Sequence, residues 1–171
     1  MRRYSPRRQS EHVLIRPAKP DDLPMVRSLE QLSPEAAHWS TREYHALFAP
    51  GAPARIALVV VDEITNQIQG FVIALCAGDE WEIENIVIAP GQRQKGLATG
   101  LIGELLGRAR AAGATSVLLE VRESNTAALR LYEKMRFRRL GLRRNYYQWP
   151  TEDALLLAFH FDSVTKSLEA E

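Results

Sequence analysis

The chain has 171 residues, a net charge of +1, four histidines and one cysteine. This length is sufficient for one well-buried core, and the near-zero charge argues against a protein that, taken as a whole, binds nucleic acid or a membrane surface electrostatically. Cys76 cannot form an intramolecular disulfide and fits a reducing compartment, so we expect a soluble, cytoplasmic protein. The histidines show no metal-ligand spacing, and no stretch approaches the roughly 18 apolar residues of a membrane helix.

The N-terminal end of the chain differs in composition from the rest. Residues 1–11 carry four arginines with little that could pack, and they lack the apolar run of a signal peptide. They are interpreted as a disordered basic arm, for which contact with RNA or a ribosomal surface is the functional explanation and a solvated tail the simpler one. We predict one folded domain over residues 12–162 and a C-terminal tail over residues 163–171.

The apolar pattern predicts alternating strands and helices with short connections. The first half contains a strand in HVLIRPA, a helix capped by Asp21 or Asp22, a short helix with a capping box of Ser40 and Glu43, a hairpin of ARIALVVVDE and IQGFVIALCAG, and a strand in EWEIENIVIAP. The second half contains a helix from near Gly96, a strand in ATSVLLEVRES, a helix in NTAALRLYEKM, and strands in FRRLGLRRNYY and DALLLAFHF. The total is about seven strands and four helices.

Five of the ten glycines fall between Gly91 and Gly107, in a segment whose leucines recur at helical spacing. A glycine at the start of a helix, here Gly96, allows successive backbone N–H groups to approach an anion, and Arg93 and Lys95 add positive charge. The segment therefore predicts a pyrophosphate site, with a tight strand-to-helix turn as the structural alternative. Neither the P-loop spacing nor GxGxxG occurs.

Four motifs in a fixed order resemble one enzyme family. They are a strand ending in NIVIAP, the loop RQKGLA in the form R-x-x-G-x-A, the strand LLEVRESN and the helix AALRLYEKMRF. The chain after the arm is therefore similar to the GNAT acetyltransferases. Within that superfamily, LEVRESNTAALRLYEKMRF followed by RRNYY looks most like the ribosomal-protein-alanine N-acetyltransferases of the RimI type, which acetylate the N-terminal alanine of a ribosomal protein.

The resemblance implies a mixed α/β fold with a single, mostly antiparallel sheet of about seven strands, splayed between strands 4 and 5 and flanked by about four helices. It implies acetyl-CoA as co-substrate, no metal, and a protein N-terminus or peptide as acceptor, possibly a ribosomal protein. No membrane and no specific nucleic acid are expected as partners. Transfer to a small-molecule amine, or a noncatalytic module that binds acetyl-CoA, are the alternatives.

The resemblance also assigns roles to residues. Glu120 matches the general base and Tyr132 the general acid, while Glu84 on the fourth strand is the second choice of base. The three residues of the fourth strand would pair their backbone with the pantetheine arm. Coenzyme contacts are implied for Ile86, Val87, Ile88, Gln94, Lys95, Gly96, Leu97, Ala98, Thr99 and Asn125.

The chemistry of acetyl transfer suits a carboxylate and a phenol. An amine is protonated at neutral pH and must lose a proton before it attacks a thioester, and Glu120 can take that proton directly or through water. The thiolate leaving group benefits from a hydrogen-bond donor, which the Tyr132 phenol can supply. No covalent enzyme intermediate is required.

Each assigned residue also has a purely structural explanation. Glu120 could face water and pair with Arg122 or another surface arginine, Asn125 is a good N-cap, and Tyr132 is an aromatic residue in an amphipathic helix. Tyr146 and Tyr147 could be ordinary strand aromatics, although the resemblance places them beside an acceptor peptide.

One residue departs from the family pattern. Arg136 stands before Phe137, where the family usually has glycine. A left-handed turn there would be strained by a β-carbon, which affects the predicted helix end and not the chemistry.

Overall fold

The computed structural model describes residues 12–162. The predicted basic arm, residues 1–11, and the predicted C-terminal tail, residues 163–171, lie outside the described residues. That residues 12–162 form one domain stays a prediction. The described residues group into two compact units.

Unit 1 contains the described residues up to Leu75 together with Glu84–Leu105. Unit 2 contains Cys76–Ile83 and the described residues from Leu106 onward. The division falls inside three regular elements, so that the third strand, the fourth strand and the third helix each contribute residues to both units.

Strands and helices alternate along the described chain largely as predicted. The strands are β1 (Val13–Pro17), β2 (Arg55–Asp62), β3 (Ile68–Ala77), β4 (Glu80–Ile88), β5 (Ser116–Arg122), β6 (Arg138–Gln148) and β7 (Thr151–His160). The helices are α1 (Leu23–Gln31), α2 (Thr41–Ala46), α3 (Leu97–Ala111) and α4 (Thr126–Lys134), with short 3-10 turns at Pro20–Asp22 and Pro90–Gln92.

Hydrogen bonds link the strands in the order β1-β2-β3-β4-β5-β7-β6. The pairs β1–β2, β2–β3, β5–β7 and β6–β7 are antiparallel, whereas β4 and β5 are parallel. The β4–β5 ladder runs only from the Glu80↔Ser116 pair to the Ile83↔Leu119 pair. The predicted mixed, mostly antiparallel sheet, in which pairing between the fourth and fifth strands is incomplete, is confirmed.

Unit 1 is held together by an apolar cluster of helix and strand side chains. Alternation along β2 and β3 turns every second residue toward this cluster, and α1 contributes residues three positions apart. Full burial of a Val, Leu, Ile or Phe side chain stabilises a fold by about 1.5–3 kcal/mol. The buried members of this cluster are Leu23, Val26, Leu29, Tyr44, Val59, Val61, Ile68, Phe71, Ile73 and Val87.

The sequence predicts an N-cap for α1 and for α2, and the structure matches the predicted hydrogen bonds only for α2. The predicted capping box of α2 is present, with Ser40 N donating to Glu43 Oε2 at 2.6 Å and Glu43 N to Ser40 Oγ at 3.3 Å. Asp22 is the N-cap residue of α1, but its carboxylate accepts from Arg16 and from the Lys19 backbone instead of from the helix. Asp22 therefore occupies the predicted cap position, but its side chain does not accept the hydrogen bond from the helix backbone that a cap normally accepts.

Unit 2 packs α4 against its strands through aromatic rings. The Tyr132 and Phe137 ring centroids lie 5.5 Å apart, and those of Phe137 and Phe159 lie 5.7 Å apart. On β5 the residues alternate between buried Val117, Leu119 and Val121 and half-buried Leu118, Glu120 and Arg122. The predicted alternation of β5 is confirmed, and it places Glu120 on the less buried face.

Candidate active site

The turn between β4 and α3, in unit 1, has a backbone that suits an anion. Gln94 has a φ of 62° and Gly96 a φ of 82°, and α3 begins at Leu97. Where left-handed and right-handed backbone conformations follow one another, the N–H groups of successive residues point toward a common centre and can bind an anion. The first N–H groups of α3 also have no partner within the helix, so donors and the helix dipole meet at this turn.

The surroundings of this turn leave room for a phosphate group. A β-carbon built on Gly96 meets no atom of the described residues within 4 Å, and Gln94, Lys95 and Thr99 are exposed. The Lys95 ammonium donates to Gln92 Oε1 at 2.8 Å, which keeps its charge near the turn. These residues fit the pyrophosphate of acetyl-CoA.

The end of β4 lies close against β3 because a glycine permits it. A β-carbon on Gly70 would lie 2.7 Å from the Val87 carbonyl oxygen and 2.6 Å from Ile88 Cδ1. Val87 is buried, whereas Ile86 and Ile88 are half-buried and point to the other face of the strand. The predicted pantetheine strand therefore has one face fixed in the core of unit 1.

A buried polar network fixes the connection between α1 and α2 to β4. The Glu30 side chain is buried, and its Oε1 accepts from Asn85 Nδ2 at 2.7 Å and from Trp39 N at 2.9 Å. Asn85 Oδ1 accepts from Ala37 N at 3.4 Å. Burial and a hydrogen bond with Glu30 raise the pKa of Tyr44, which keeps its hydroxyl protonated.

This network is not among the features predicted from the sequence. A signal was present, because Asn85 follows Trp81 and Ile83 in the alternation that buries one face of β4. Glu30 likewise lies four residues after buried Val26 on α1. A polar residue at a position that the pattern assigns to the core predicts a buried hydrogen-bond partner.

Glu84, the second choice of base, is engaged by an arginine within unit 1. Arg55 Nε lies 2.6 Å from Glu84 Oε2, and Arg55 Nη2 lies 2.9 Å from Glu84 Oε1. The same guanidinium lies 5.5 Å from the Trp39 ring centroid. This bidentate pair occupies both Glu84 oxygens and, chiefly through its hydrogen bonds, raises the pKa of Arg55.

Glu120, in unit 2, lies in a cluster with a guanidinium and a phenol. Its Oε1 is 2.7 Å from Arg143 Nη1, and the Glu120 side chain is 10% exposed against 57% for Arg143. A hydrogen bond to Glu120, assisted by burial, raises the pKa of Tyr146 to about 12. Arg143 also lies 5.6 Å from the centroid of the Tyr146 ring. The predicted alternative, in which Glu120 pairs with a surface arginine, is therefore observed with Arg143. This pair lies beside Tyr146, which the resemblance places next to the acceptor.

A bulge in β6 aims Tyr146 at this cluster. The register of β6 against β7 shifts between Arg143 and Tyr147, so that the three residues between them face Asp153 alone. Asn145 has a φ of 50° and donates its N–H to Asp153 Oδ1 at 2.8 Å. Bulges of this kind re-aim side chains next to functional sites, and here the re-aimed side chain is Tyr146.

The second tyrosine of the pair is fixed by an arginine. The Arg122 guanidinium lies 4.0 Å from the Tyr147 ring centroid, and Arg122 Nη1 lies 3.3 Å from Glu152 Oε2. Glu152 Oε1 in turn accepts from Ser124 N at 2.5 Å. Tyr147 is therefore connected to the start of α4, where Asn125 lies.

Asn125 is the N-cap residue of α4. Its Oδ1 accepts from Ala128 N at 3.1 Å. This hydrogen bond satisfies one of the first donors of the helix, so the structural explanation of Asn125 is confirmed. Its contact with the coenzyme stays a prediction.

Tyr132 is held by the C-terminal cap of α4. Phe137 N donates to Tyr132 O and Arg136 N to Glu133 O, both at 2.9 Å, which is the hydrogen-bond pattern of a Schellman motif. Arg136 has a φ of 68°, so the left-handed turn is present although the residue carries a β-carbon. Burial, with a smaller effect of nearby Tyr147, raises the pKa of Tyr132 and keeps its phenol protonated.

Comparison with known proteins assigns the family. Residues 23–137 match the model of the family described as Acetyltransferase (GNAT) family. The chain belongs to the GNAT acetyltransferase family. It is accordingly an acetyl-CoA-dependent N-acetyltransferase.

Two relatives carry the name [Ribosomal protein bS18]-alanine N-acetyltransferase. The protein from Haemophilus influenzae is 40% identical over 96 residues, which cover 54% of this chain and 65% of that protein. The protein from Escherichia coli is 33% identical over 141 residues, which cover 80% of this chain and 90% of that protein.

Solved GNAT structures show the same fold. The ribosomal-protein-S18-alanine N-acetyltransferase from Escherichia coli has a TM-score of 0.79 at 26% identity, over 92% of this chain and 99% of that chain. Arabidopsis thaliana NAA60 in complex with acetyl-CoA has a TM-score of 0.76 at 20% identity, over 87% of this chain and 98% of that chain. The second similarity concerns the fold alone.

Among residues 12–162, no helix is long and apolar enough to cross a membrane. Within the same range, His, Cys, Asp and Glu side chains form no group of three suited to a metal ion.

Proposed function

We propose that this enzyme acetylates the N-terminal α-amine of a protein, with a ribosomal protein as acceptor and the cytoplasm as its location. The observation that carries the proposal is the Glu120 cluster, in which a carboxylate, an exposed guanidinium and an acceptor-side tyrosine meet. Two relatives named for the alanine of ribosomal protein bS18 support it, at 40% and 33% identity. Cys76 is the one cysteine of the sequence, which agrees with a reducing compartment.

Glu120 acts as the general base. It takes a proton from the acceptor ammonium, directly or through one water, and thereby makes the amine nucleophilic. Its ion-pair partner Arg143 is 57% exposed, so water and an incoming cation compete for the Glu120 oxygens. Glu84 is less suited to this role, since the bidentate pair with Arg55 occupies both of its oxygens.

Tyr132 acts as the general acid. Acetyl-CoA supplies the acetyl group as a thioester, whose sulfur departs as a thiolate. The Tyr132 phenol is protonated at neutral pH, since burial raises its pKa further above the usual range, and it can donate a hydrogen bond to that sulfur. Within unit 1, the coenzyme is held by the backbone of Ile86–Ile88 and the turn at residues 94–99.

Tyr146 and Tyr147 form the acceptor side. Their rings meet edge to face with centroids 5.2 Å apart, and the cation stacked on Tyr147 fixes its ring. Two rigid aromatic rings can enclose a small N-terminal side chain at low entropic cost. A free small amine would need little of this surface, which favours a peptide acceptor.

The base assignment is tested by Glu120→Gln, with Glu84→Gln as the matched control. We expect Glu120→Gln to lower kcat by about 10²–10⁴, because the amide cannot accept the proton, and to leave acetyl-CoA affinity unchanged, because Glu120 is not among the proposed coenzyme contacts. Glu84→Gln is expected to lower thermal stability, since Arg55 loses its charged partner, while kcat changes by less than about tenfold. Steady-state kinetics on an alanine-initiated peptide and a thermal melt of each variant measure both effects.

The opposite ranking would contradict the assignment. If Glu84→Gln abolishes turnover in a folded protein while Glu120→Gln does not, the base lies on β4. If the wild-type enzyme binds acetyl-CoA but transfers acetyl to no peptide or amine, the protein is a noncatalytic module.

A further inference from the structure

A strongly basic surface lies at the end of α4 and along β6, in unit 2. The segment from Arg130 to Arg144 contains seven cationic side chains and one carboxylate, a net charge of +6 in a chain whose total is +1. All seven cations are exposed. We call this the basic surface, and its members are Arg130, Lys134, Arg136, Arg138, Arg139, Arg143 and Arg144.

Most of this positive charge is not neutralised within the protein. Arg143 pairs with Glu120, and the other six cations form no ion pair with any residue in the described range. Exposed cations of one sign concentrate counter-anions, which a polyanion displaces when it binds. The basic surface therefore has the electrostatic character of a polyanion site.

The shape of the surface favours a nucleic-acid backbone over an acidic peptide strand. β6 is the last strand in the sheet order, so one of its edges has no neighbouring strand in the described structure. A peptide that adds to such an edge needs a regular row of donors and acceptors. In β6 the register shifts between Arg139 and Gly141 and again between Arg143 and Tyr147. These bulges interrupt the row while leaving the arginine side chains exposed along its length.

The chemistry of the cations points the same way. Six of the seven are arginines, whose planar guanidinium matches the oxygens of a phosphate in a bidentate manner. Arg138 and Arg139 are neighbours in an extended strand and so reach out on its two faces. Phosphates that follow the edge of β6 can be contacted from both faces.

We propose that the basic surface binds the phosphate backbone of RNA without reading its sequence. This function goes beyond acetyl transfer. Its choice of RNA over DNA rests on the proposed function, because an enzyme that modifies a ribosomal protein works beside RNA. The surface would hold the enzyme near its acceptor and raise the local concentration of that acceptor.

The proposal is tested by fluorescence anisotropy of a labelled RNA duplex of about 20 base pairs with the full-length protein, between about 50 and 200 mM salt. The variant is Arg138→Glu with Arg139→Glu, which leaves the proposed catalytic residues untouched. Its matched control is Arg42→Glu with Arg110→Glu, which changes the net charge equally at two exposed arginines outside the surface. No acetyl-CoA or acceptor is present, so this result is independent of catalysis.

We expect the wild-type protein to bind with a micromolar Kd at the lowest salt. The variant is expected to bind at least tenfold more weakly and to lower the slope of log Kd against log salt by about 2, roughly one for each lost phosphate contact. The control should change Kd by less than about threefold. All three proteins should acetylate a short peptide at the same rate, which shows that they are folded.

Several results would overturn the proposal. If the variant and the control weaken RNA binding equally, binding depends on the net charge of the protein and not on the basic surface. The contact would lie in the arm if binding is lost when the four arginines of residues 1–11 are replaced by glutamine and is unaffected by Arg138→Glu with Arg139→Glu.

Other ligands test the identity of the partner. If polyglutamate of similar charge binds as tightly as RNA, the partner is an acidic protein. If a matched DNA duplex binds more tightly than RNA, the preference for RNA is excluded. Absence of RNA binding at the lowest salt would leave the charges as protection of an exposed sheet edge.

Discussion

Arg136 occupies a backbone conformation that costs free energy for any residue with a β-carbon. Its φ of 68° lies in the left-handed region, where an L-residue is disfavoured by about 1–2 kcal/mol. The conformation is retained because it completes the cap of α4, in which Phe137 N reaches the Tyr132 carbonyl at 2.9 Å. The strain at this single residue therefore helps to fix the proposed general acid.

Arg136→Gly should stabilise the protein. Glycine adopts positive φ without strain, although its freer unfolded chain offsets part of the gain, so we expect the free energy of unfolding to rise by about 0.5–1 kcal/mol. Urea denaturation measures the change. Arg136→Ala is the control, because it removes the charge but keeps the β-carbon, and it should leave stability within about 0.5 kcal/mol of wild type. Equal stability of the glycine and alanine variants would show that the left-handed conformation carries no strain.

The turn between β4 and α3 is the element in which local sequence and function agree most closely. Gly96 combines a φ of 82° with open space around its missing side chain, so the residue serves the backbone conformation and the approach of a ligand together. Its place at the start of α3 was predictable, since the leucines that follow fix the helix and glycine marks its start. The geometry explains why a helix-disfavouring residue is found there.

Gly96→Val should impair acetyl-CoA binding. The added side chain projects into the space assigned to the pyrophosphate and also opposes the positive φ, so we expect Kd to rise at least tenfold, about 1.4 kcal/mol. Isothermal titration calorimetry measures this affinity. Gly91→Val is the matched control, because its β-carbon also meets no atom of the described residues within 4 Å but its φ is not positive. Unchanged affinity in a folded Gly96→Val protein would exclude this turn as the pyrophosphate site.

Other elements show where sequence alone is insufficient. The capping box of α2 and the β2–β3 hairpin were predictable, because the signals are contained within a few neighbouring residues. The Glu30–Asn85 hydrogen bond joins residues 55 positions apart, and its partners could not be matched from either segment alone. The β6 bulge depends on the Asp153 carboxylate in β7, so the orientation of Tyr146 became apparent only once the two strands were paired.

At the scale of the whole molecule, the net charge conceals a local concentration of positive charge. The total charge of +1 excludes general electrostatic binding, yet seven cations and one carboxylate lie between Arg130 and Arg144. The motif order correctly predicted the family and fold, because those motifs occur throughout the folded region. Ion-pair partners were less predictable. A surface arginine was the structural alternative for Glu120, but its identity as Arg143 follows only from the β5–β7 and β6–β7 registers taken together.

The central claim is that the acceptor is the N-terminal α-amine of a protein. It is tested most directly by locating the acetyl group that the wild-type enzyme transfers from labelled acetyl-CoA to a peptide that begins with alanine and contains one internal lysine. Fragmentation mass spectrometry assigns the label to one amine. We predict label on the alanine α-amine and none on the same peptide with a blocked N-terminus. Label on the lysine side chain, or transfer to a small polyamine with no transfer to the peptide, would contradict the claim.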